Sequence, residues 1–289
     1  MKKLFTILLL LPLASIAQDA VQDSLWKTST TTTLNFSQVS LTNWAAGGES
    51  SMSALFMVNY AANYKKDKLS WDNTFDLRYG FLKQNGDDLR KSDDLIDISS
   101  KLGIEAGGNW NYSALLNFKS QFATGYEYDD DDSRTEISKF MAPGYLTGAL
   151  GMDYKTDKLT VLLAPVSGKL TFVTDDELSD DGAYGVDAGD HLRAELGGSV
   201  KVGYKDEVVK NVTFDSTLGL FTNYLDKPQN VDVDWKVQIN MKVNKFLSAN
   251  LITHMIYDDD VKITDSDTGI SGSRLQFMES FGVGLTFKF

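Results

Sequence analysis

Apolar and polar residues alternate along the last sixteen positions of the chain, from Arg274 to Phe289. Successive side chains of a strand point to opposite faces, so this segment would have one apolar and one polar face. The apolar face would carry Leu275, Phe277, Phe281, Val283, Leu285, Phe287 and Phe289. This length and the aromatic carboxyl terminus are typical of the closing strand of an outer-membrane β-barrel. An edge strand of a soluble sandwich is the alternative.

One charge, Glu279, interrupts the apolar face of this closing strand. A charged side chain that faces lipid at mid-depth is costly. The sequence leaves two readings open: a local bulge turns Glu279 inward, or the residue marks a further contact.

The same two-residue period recurs along the chain and predicts twelve strands. They span 26–37, 51–64, 69–82, 94–106, 110–123, 142–154, 159–172, 191–204, 211–224, 231–243, 246–257 and 274–289. Most are longer than the roughly 9–11 residues that a tilted strand needs to cross a bilayer, whereas strands of soluble sheets usually have ~5–6. Twelve is an even number, as single-chain bacterial barrels require for both termini to lie on one side.

The connections between these strands alternate in length. The short ones are 65–68, 107–109, 155–158, 205–210 and 244–245, and the mostly longer ones are 38–50, 83–93, 124–141, 173–190, 225–230 and 258–273. Outer-membrane barrels have short periplasmic turns, longer outer loops and aromatic residues at both strand ends. Within the seventh strand, Pro165 predicts a bulge or kink over residues 165–169. The sequence therefore predicts an all-β fold: a single 12-stranded antiparallel transmembrane β-barrel with short periplasmic turns and long acidic outer loops.

The amino terminus predicts export. Residues 1–17 have two lysines, a short apolar run and small residues before Gln18, which is the pattern of a cleaved secretory signal. We therefore expect a signal peptide at 1–17, a barrel domain at 18–289 and location in the outer membrane. Two lysines leave with the signal, so the formal charge moves from −12 to −14. A chain this acidic lacks the basic face that nucleic-acid binding requires, and without cysteine it forms no disulfide.

A short motif carries a resemblance to a known family. The sequence NWAAGG at 43–48, with FSQ at 36–38 before it and the patch at 165–169 after it, resembles an uncharacterised Bacteroidota family of exported outer-membrane β-barrel proteins. The resemblance implies an outer-membrane location and no particular activity. In this motif Trp44, Gly47 and Gly48 could fold into the barrel mouth as a constriction, or form a tight first turn with an exposed tryptophan.

The polar faces of the strands supply the candidate pore-lining residues. They are Asp72, Asp76, Arg78, Lys101, Glu105, Lys119, Arg193, Glu195, Lys201 and Lys236. Mixed charges of this kind either line an aqueous pore or pair across the lumen and plug it. Eight strands are filled by side chains and sixteen leave a channel, so twelve leave both outcomes open.

The predicted outer loops are strongly acidic. Weak candidates for metal ligands are Asp129, Asp130, Asp131, Asp132, Asp175, Asp176, Asp180 and Asp181. Carboxylate clusters suit calcium or magnesium, but the spacing does not match an EF-hand loop, and a solvated, extended rim is the simpler reading. Divalent cations that bridge this rim to lipopolysaccharide phosphates are a third reading.

These observations favour a narrow passive channel for small solutes. A non-conducting structural or surface-binding barrel is the alternative, and an outer-membrane lipid hydrolase is a remote one. Hydrolysis would need His191 or His254 beside a nucleophile, yet we expect His191 at the rim and His254 in the lumen, so we predict no enzymatic activity and no cofactor. The expected partners are outer-membrane lipid, lipopolysaccharide and the barrel-assembly machinery, which would recognise the strand that ends at Phe289.

Overall fold

The computed structural model describes residues 25–41, 49–84, 88–128, 133–264 and 270–289, and nearly all of them lie in antiparallel sheet. In chain order the strands are β1 (Trp26–Val39), β2 (Ser51–Lys66), β3 (Leu69–Gln84), β4 (Arg90–Gly107), β5 (Trp110–Ser120), β6 (Gly125–Tyr128), β7 (Arg134–Ser138), β8 (Gly144–Lys155), β9 (Leu159–Phe172), β10 (Leu192–Val209), β11 (Val212–Asn223), β12 (Asp232–Lys242), β13 (Leu247–Tyr257), β14 (Lys262–Thr264), β15 (Ser271–Ser273) and β16 (Gln276–Lys288).

Twelve of these strands close into a barrel. Its order is β1-β2-β3-β4-β5-β8-β9-β10-β11-β12-β13-β16, with β16 returning to β1. The remaining strands form two small hairpins, β6–β7 and β14–β15, outside the barrel wall. All twelve predicted strands are confirmed, and their ends move by at most five residues.

The seam between β1 and β16 is short. Its register runs over five residue pairs, from Thr31–Lys288 to Asn35–Gly284. Thr30 and Phe289 extend it with two mutual backbone hydrogen bonds of 2.9 and 3.0 Å. The seam is therefore the shortest of the twelve pairings, so each of its contacts contributes a larger share of the stability of barrel closure.

Side chains reinforce the seam from the lumen side. The Thr33 and Thr286 hydroxyls lie 3.1 Å apart, and the Thr286 and Ser248 hydroxyls lie 2.6 Å apart. Asn250 donates to Asn35 Oδ1 at 3.5 Å. Buried polar groups are stable only when they are hydrogen-bonded, so this network ties β13, β16 and β1 together at one place.

The outer face of the barrel is apolar, and aromatic side chains gather at its two ends. At the short-turn end Trp26 packs on Tyr64 and Trp71, with ring centroids 5.2 and 5.5 Å apart, and Trp110 packs on Tyr154 at 5.2 Å. Phe36, Phe122, Tyr224, Trp235 and Phe277 are exposed near the long-loop end. This is the arrangement of a membrane-spanning wall with two interfacial girdles.

Glu279 faces outward with the apolar set. The register between β13 and β16 is unbroken from Ile256–Gln276 to Leu247–Leu285, so no bulge turns Glu279 into the lumen. The inward reading is wrong. Glu279 is the fourth residue of β16 and lies close to Phe277 near the outer girdle, where a charge on the lipid face costs only about 0–1 kcal/mol.

The bulge that Pro165 predicts is confirmed. On one side Leu150 pairs with Val166 and Met152 with Leu163, so Ala164 and Pro165 together oppose one residue of β8. The pairing with β10 shifts at the same level. Proline has no N–H for a ladder bond, and the bulge removes the need for one.

The connections sort by length as the sequence predicts. The turns at one end comprise 67–68, 108–109, 156–158, 210–211 and 243–246, and the connections at the other end include 121–143, 173–191 and 258–275. The link between β3 and β4 is shorter than expected, at 85–89, because both strands extend beyond their predicted ends. We call the short-turn end inner and the long-loop end outer. Within the described residues no helix is both long enough and apolar enough to cross a membrane.

Candidate functional site: the barrel lumen

A cavity of about 1720 Å³ occupies the interior of the barrel. It runs from Lys27 and Lys65 at the inner end to Tyr184 and Asp258 at the outer end. Because alternate residues of every strand face inward, the polar positions of all twelve strands contribute to its wall. The lumen is therefore neither filled by side chains nor as wide as that of a large porin.

Most of the predicted pore-lining residues face this cavity. Asp72, Asp76, Lys101, Lys119, Lys201 and Lys236 line it directly. The other four are placed differently: Arg78 is buried beside Asp93, Arg193 and Glu195 form an ion pair with each other, and Glu105 is exposed at the inner end. These four side chains contact other charged groups or lie at the inner edge of the barrel, so their assignment to the pore lining stays a prediction.

One ion pair crosses the lumen. Lys119 Nζ on β5 lies 2.5 Å from Asp234 Oδ2 on β12. These strands are five positions apart in one direction around the barrel and seven in the other, so the pair joins nearly opposite walls. His254 Nε2 lies 2.8 Å from the other oxygen of Asp234, and Asp97 lies 4.0 Å from Lys119. This set narrows the lumen near the outer ends of β5 and β12, and we call it the crossbar.

A second charge cluster lies on the outer side of the crossbar. Lys169 donates to Asp232 and Asp258, each at 2.9 Å, and lies 3.6 Å from Glu195. The Phe221 ring lies beneath the ammonium group, 5.5 Å away. Three carboxylates around one lysine leave this part of the lumen negative.

The inner half of the lumen carries more lysines than carboxylates and is positively charged. Three lysines there are paired: Lys101 with Asp153 at 2.7 Å, Lys155 with Asp72 at 2.5 Å and Lys205 with Asp215 at 2.7 Å. Further lysines line the cavity without an ion pair to any described carboxylate. Lys201 is one of them, and it lies level with Asp234 of the crossbar. The others lie further towards the inner end: Lys27, Lys65, Lys236, Lys242, Lys245 and Lys288.

The connection between β9 and β10, residues 173–191, folds over the outer end and is here called the cap. It contains the short helix α1 (Asp176–Asp180) and a 3-10 turn (Ala183–Gly185). Val173, Leu178 and Val186 of the cap pack with Ala142 into a small hydrophobic cluster of their own. Contrary to the sequence prediction, the connection is not extended, because its apolar residues provide a core, but most of its carboxylates are exposed to solvent.

Polar contacts fix the cap to both sides of the mouth. On one side Tyr184 donates to the Ile137 carbonyl and Asp175 pairs with Lys139. On the other, Arg193 donates to the Gly185 carbonyl at 2.9 Å and pairs with Asp260. Tyr184 also lines the cavity, so the cap forms part of its outer wall.

The metal candidates that the structure describes, Asp175, Asp176, Asp180 and Asp181, are not assembled into a site. Asp175 caps the amino terminus of α1 by accepting from Leu178 N at 2.9 Å, and Asp176 is fully exposed. No group of three or more potential ligands, including Asp180 and Asp181, converges in the part of the chain that the structure describes. Asp129 to Asp132 and the motif residues Trp44, Gly47 and Gly48 lie outside the described residues.

The two histidines lie where the sequence predicts them. His191 is at the rim, with Nδ1 2.8 Å from the Val173 carbonyl, and His254 is in the lumen. The described hydrogen bonds of both histidines run to the Val173 carbonyl and to Asp234, and neither runs to a serine.

Several lumen residues were missed from the sequence. Lys169 follows the Pro165 bulge, which shifts the alternation of β9. Asp153 and Lys155 lie on β8 in the unbroken phase of Gly151, and that phase places both on the lumen side. Lys27 and Lys65 lie near strand ends, where alternation does not separate a lumen residue from a turn residue. The sequence places Lys288 on the polar face of the closing strand, but not among the candidate pore-lining residues. Only closure of the barrel shows that they face one common space.

The contact between Lys139 and Asp175 predicts how the cap responds to pH. The ammonium group lowers the pKa of Asp175 below its usual 3.8, and Asp175 and Glu136 together raise the pKa of Lys139 above 10.5. Because the pKa of Asp175 is lower in the folded protein, its ion pair stabilises the cap at any pH above 3.8. This stability is lost as the pH falls through the pKa of Asp175 in the folded protein. Because the pKa of Lys139 is higher in the folded protein, its ion pairs stabilise the cap at any pH below 10.5, and this stability is lost as the pH rises through the pKa of Lys139 in the folded protein.

We therefore expect the cap to stay closed between these limits. Proteolysis of the 173–191 segment in detergent should be constant from pH 5 to pH 9 in the parent protein. Asp175→Asn should raise the cleavage rate over that whole range, since it removes the pair at every pH. A parent protein whose cap is cleaved faster at pH 5 than at pH 8 would contradict this account.

The chain is similar to one protein family over part of its length and to several solved barrels. A family model described as "Protein of unknown function (DUF3078)" matches residues 36–126, less than half of the chain. No curated protein gives a significant match.

Three solved structures resemble the whole barrel. The translocator domain of the autotransporter NalP from Neisseria meningitidis has 10% identity and a TM-score of 0.39, over 91% of this chain and 87% of that one. The COG4313 outer membrane channel from Pseudomonas putida F1 has 12% identity and a TM-score of 0.39, over 90% and 93%. The outer membrane channel DcaP of Acinetobacter baumannii has 9% identity and a TM-score of 0.31, over 91% and 95%. At this level of similarity these structures say nothing about what the lumen of this chain holds.

Proposed function

We propose that the chain is an exported outer-membrane protein whose barrel forms a narrow channel for small polar solutes. It would be a member of an exported Bacteroidota family, delivered by a cleaved signal at 1–17. Its partners would be outer-membrane lipid, lipopolysaccharide and the barrel-assembly machinery, with divalent cations at the outer loops.

The observation that supports this proposal is the cavity itself. A lumen of about 1720 Å³ with a wall of lysines, carboxylates, amides and hydroxyls is wet, and it reaches from one end of the barrel to the cap. A cavity of this volume can hold small solutes but no folded domain. Because its charges face water, they can exchange partners with a passing ion, which is what conduction needs.

Conductance in planar bilayers tests the proposal. Protein purified in detergent and added to a bilayer in 1 M KCl should give discrete steps, smaller than those of a general porin. The same preparation unfolded by boiling should give none. A folded protein without steps at any voltage would instead identify a non-conducting barrel, with the cap as its working surface.

A further inference from the structure

The inner half of the lumen carries a one-sided arrangement of positive charge. Five of the lysines without an ion pair, Lys27, Lys65, Lys242, Lys245 and Lys288, belong to β1, β2, β12, the β12–β13 turn and β16. These elements are neighbours around the barrel. We call this set the lysine arc.

No carboxylate side chain accompanies the lysine arc on its own stretch of described wall. Between its lysines the inward side chains are neutral hydroxyls and amides, such as Ser29, Thr31, Asn63, Asn240 and Ser248. The carboxylates of the inner half lie on the flanking strands: Asp72, Asp153 and Asp215 are each bound to a lysine outside the arc, and Glu207 accepts a hydrogen bond from Asn211 N at 2.8 Å. No described carboxylate side chain therefore forms an ion pair with a lysine of the arc.

The spacing in the arc suits more than one anionic group. Lys27 pairs with Asn63, so Lys65 is its diagonal neighbour on β2, at about 7–8 Å between the strand positions. Lys288 pairs with Thr31, four residues along the same strand from Lys27. A ligand with several phosphates or carboxylates could contact two or three of these lysines at once, and the neutral amides could donate hydrogen bonds around it.

A structural role does not explain this arrangement. The chain as a whole is acidic, with a formal charge of −12. A lumen wall that only had to be hydrated could carry carboxylates as well as lysines. Like charges that face one cavity repel each other, and a cavity with low-dielectric walls strengthens the field that they produce. Such a field is useful when an anion enters.

We propose that the lysine arc is a binding site for a small polyanion, a solute with several phosphate or carboxylate groups, that enters the lumen from the inner end. The proposal deepens the proposed channel by naming its solute class, but binding can be measured without conduction. Three carboxylates surround Lys169 on the outer side of the crossbar, so the lumen is positive towards its inner end and negative towards its outer end. An anion that enters from the inner end would therefore be held on the inner side of the crossbar.

Calorimetric titration of the detergent-solubilised protein tests the site, with tripolyphosphate and citrate as probes. The parent should bind at least one of them, more weakly as salt rises because screening weakens the field. The triple variant Lys27→Gln, Lys65→Gln, Lys288→Gln should bind at least about tenfold more weakly, or about 1.4 kcal/mol. The probe that binds more tightly distinguishes phosphate from carboxylate recognition.

A matched control has the same change in net charge. Lys66→Gln, Lys68→Gln and Lys210→Gln remove three exposed lysines at inner turns that do not line the cavity. This control should bind as the parent does. Equal weakening in both triple variants, or a parent that binds neither probe, would overturn the site. A protein that binds tripolyphosphate but never conducts would refute the channel and leave the site standing.

Discussion

Replacing Gly284 with valine is expected to prevent the barrel from closing. A Cβ atom at Gly284 would lie 2.1 Å from the Leu34 carbonyl oxygen and 2.7 Å from the Asn35 Cα, both of them backbone atoms of β1. Overpacking costs about 1–3 kcal/mol even where side chains can move aside, and here the backbone of a five-pair seam would have to move. We expect the folded fraction to fall by more than about tenfold.

Mobility on unboiled detergent gels measures this effect, because closed barrels migrate differently from unfolded chains. Gly148→Val is the control, since a Cβ at Gly148 meets nothing within 4 Å. It should fold as the parent does. If Gly284→Val also gives the folded band in normal yield, the seam does not have the close approach described here.

Removing the crossbar is expected to widen the channel. Lys119→Ala with Asp234→Ala deletes both ends of the contact that joins β5 to β12, and the conductance step should grow by a factor of about two or more because the contact across the lumen is removed. Both side chains are partly exposed to the lumen, at 30% and 37%. The barrel should therefore stay folded without them.

The single variants separate width from charge. Lys119→Ala leaves Asp97 and Asp234 facing the narrow section and should shift the reversal potential in a KCl gradient towards cations. Asp234→Ala should shift it towards anions, and the double variant should lie nearer the parent. Identical shifts in both single variants would show that the pair does not lie on the ion path.

Most of the wall could be predicted from the sequence. Side-chain alternation with period two is a local property, so β9 was found with the bounds 159–172 and β16 to within two residues at its start. The Pro165 bulge was equally local, because the missing N–H is a property of that one residue. Glu279 was placed on the correct face by the same phase, and the unbroken register decides between its two readings.

The contents of the lumen could be predicted only in part. The sequence showed that Lys119 and Asp234 face inward, but not that they meet, since 115 residues separate them along the chain. For 173–190 the sequence predicts a solvated, extended rim and does not show that part of this loop is packed. Leu178 and Val186 are isolated apolar residues there, and only their contact with Ala142 makes them a core.

By itself the sequence determined the class of fold, the number of strands and the face of each side chain, because these follow from alternation and from the length needed to cross a bilayer. The tertiary structure decided which inward charges become partners and which remain without one. Closure brings strands that are distant in the chain to a common interior, so Lys119 is neutralised across the lumen while Lys27, Lys65 and Lys288 are gathered without a carboxylate. Whether two lumen charges form an ion pair depends on the distance between them across the lumen, and a local sequence pattern does not determine that distance.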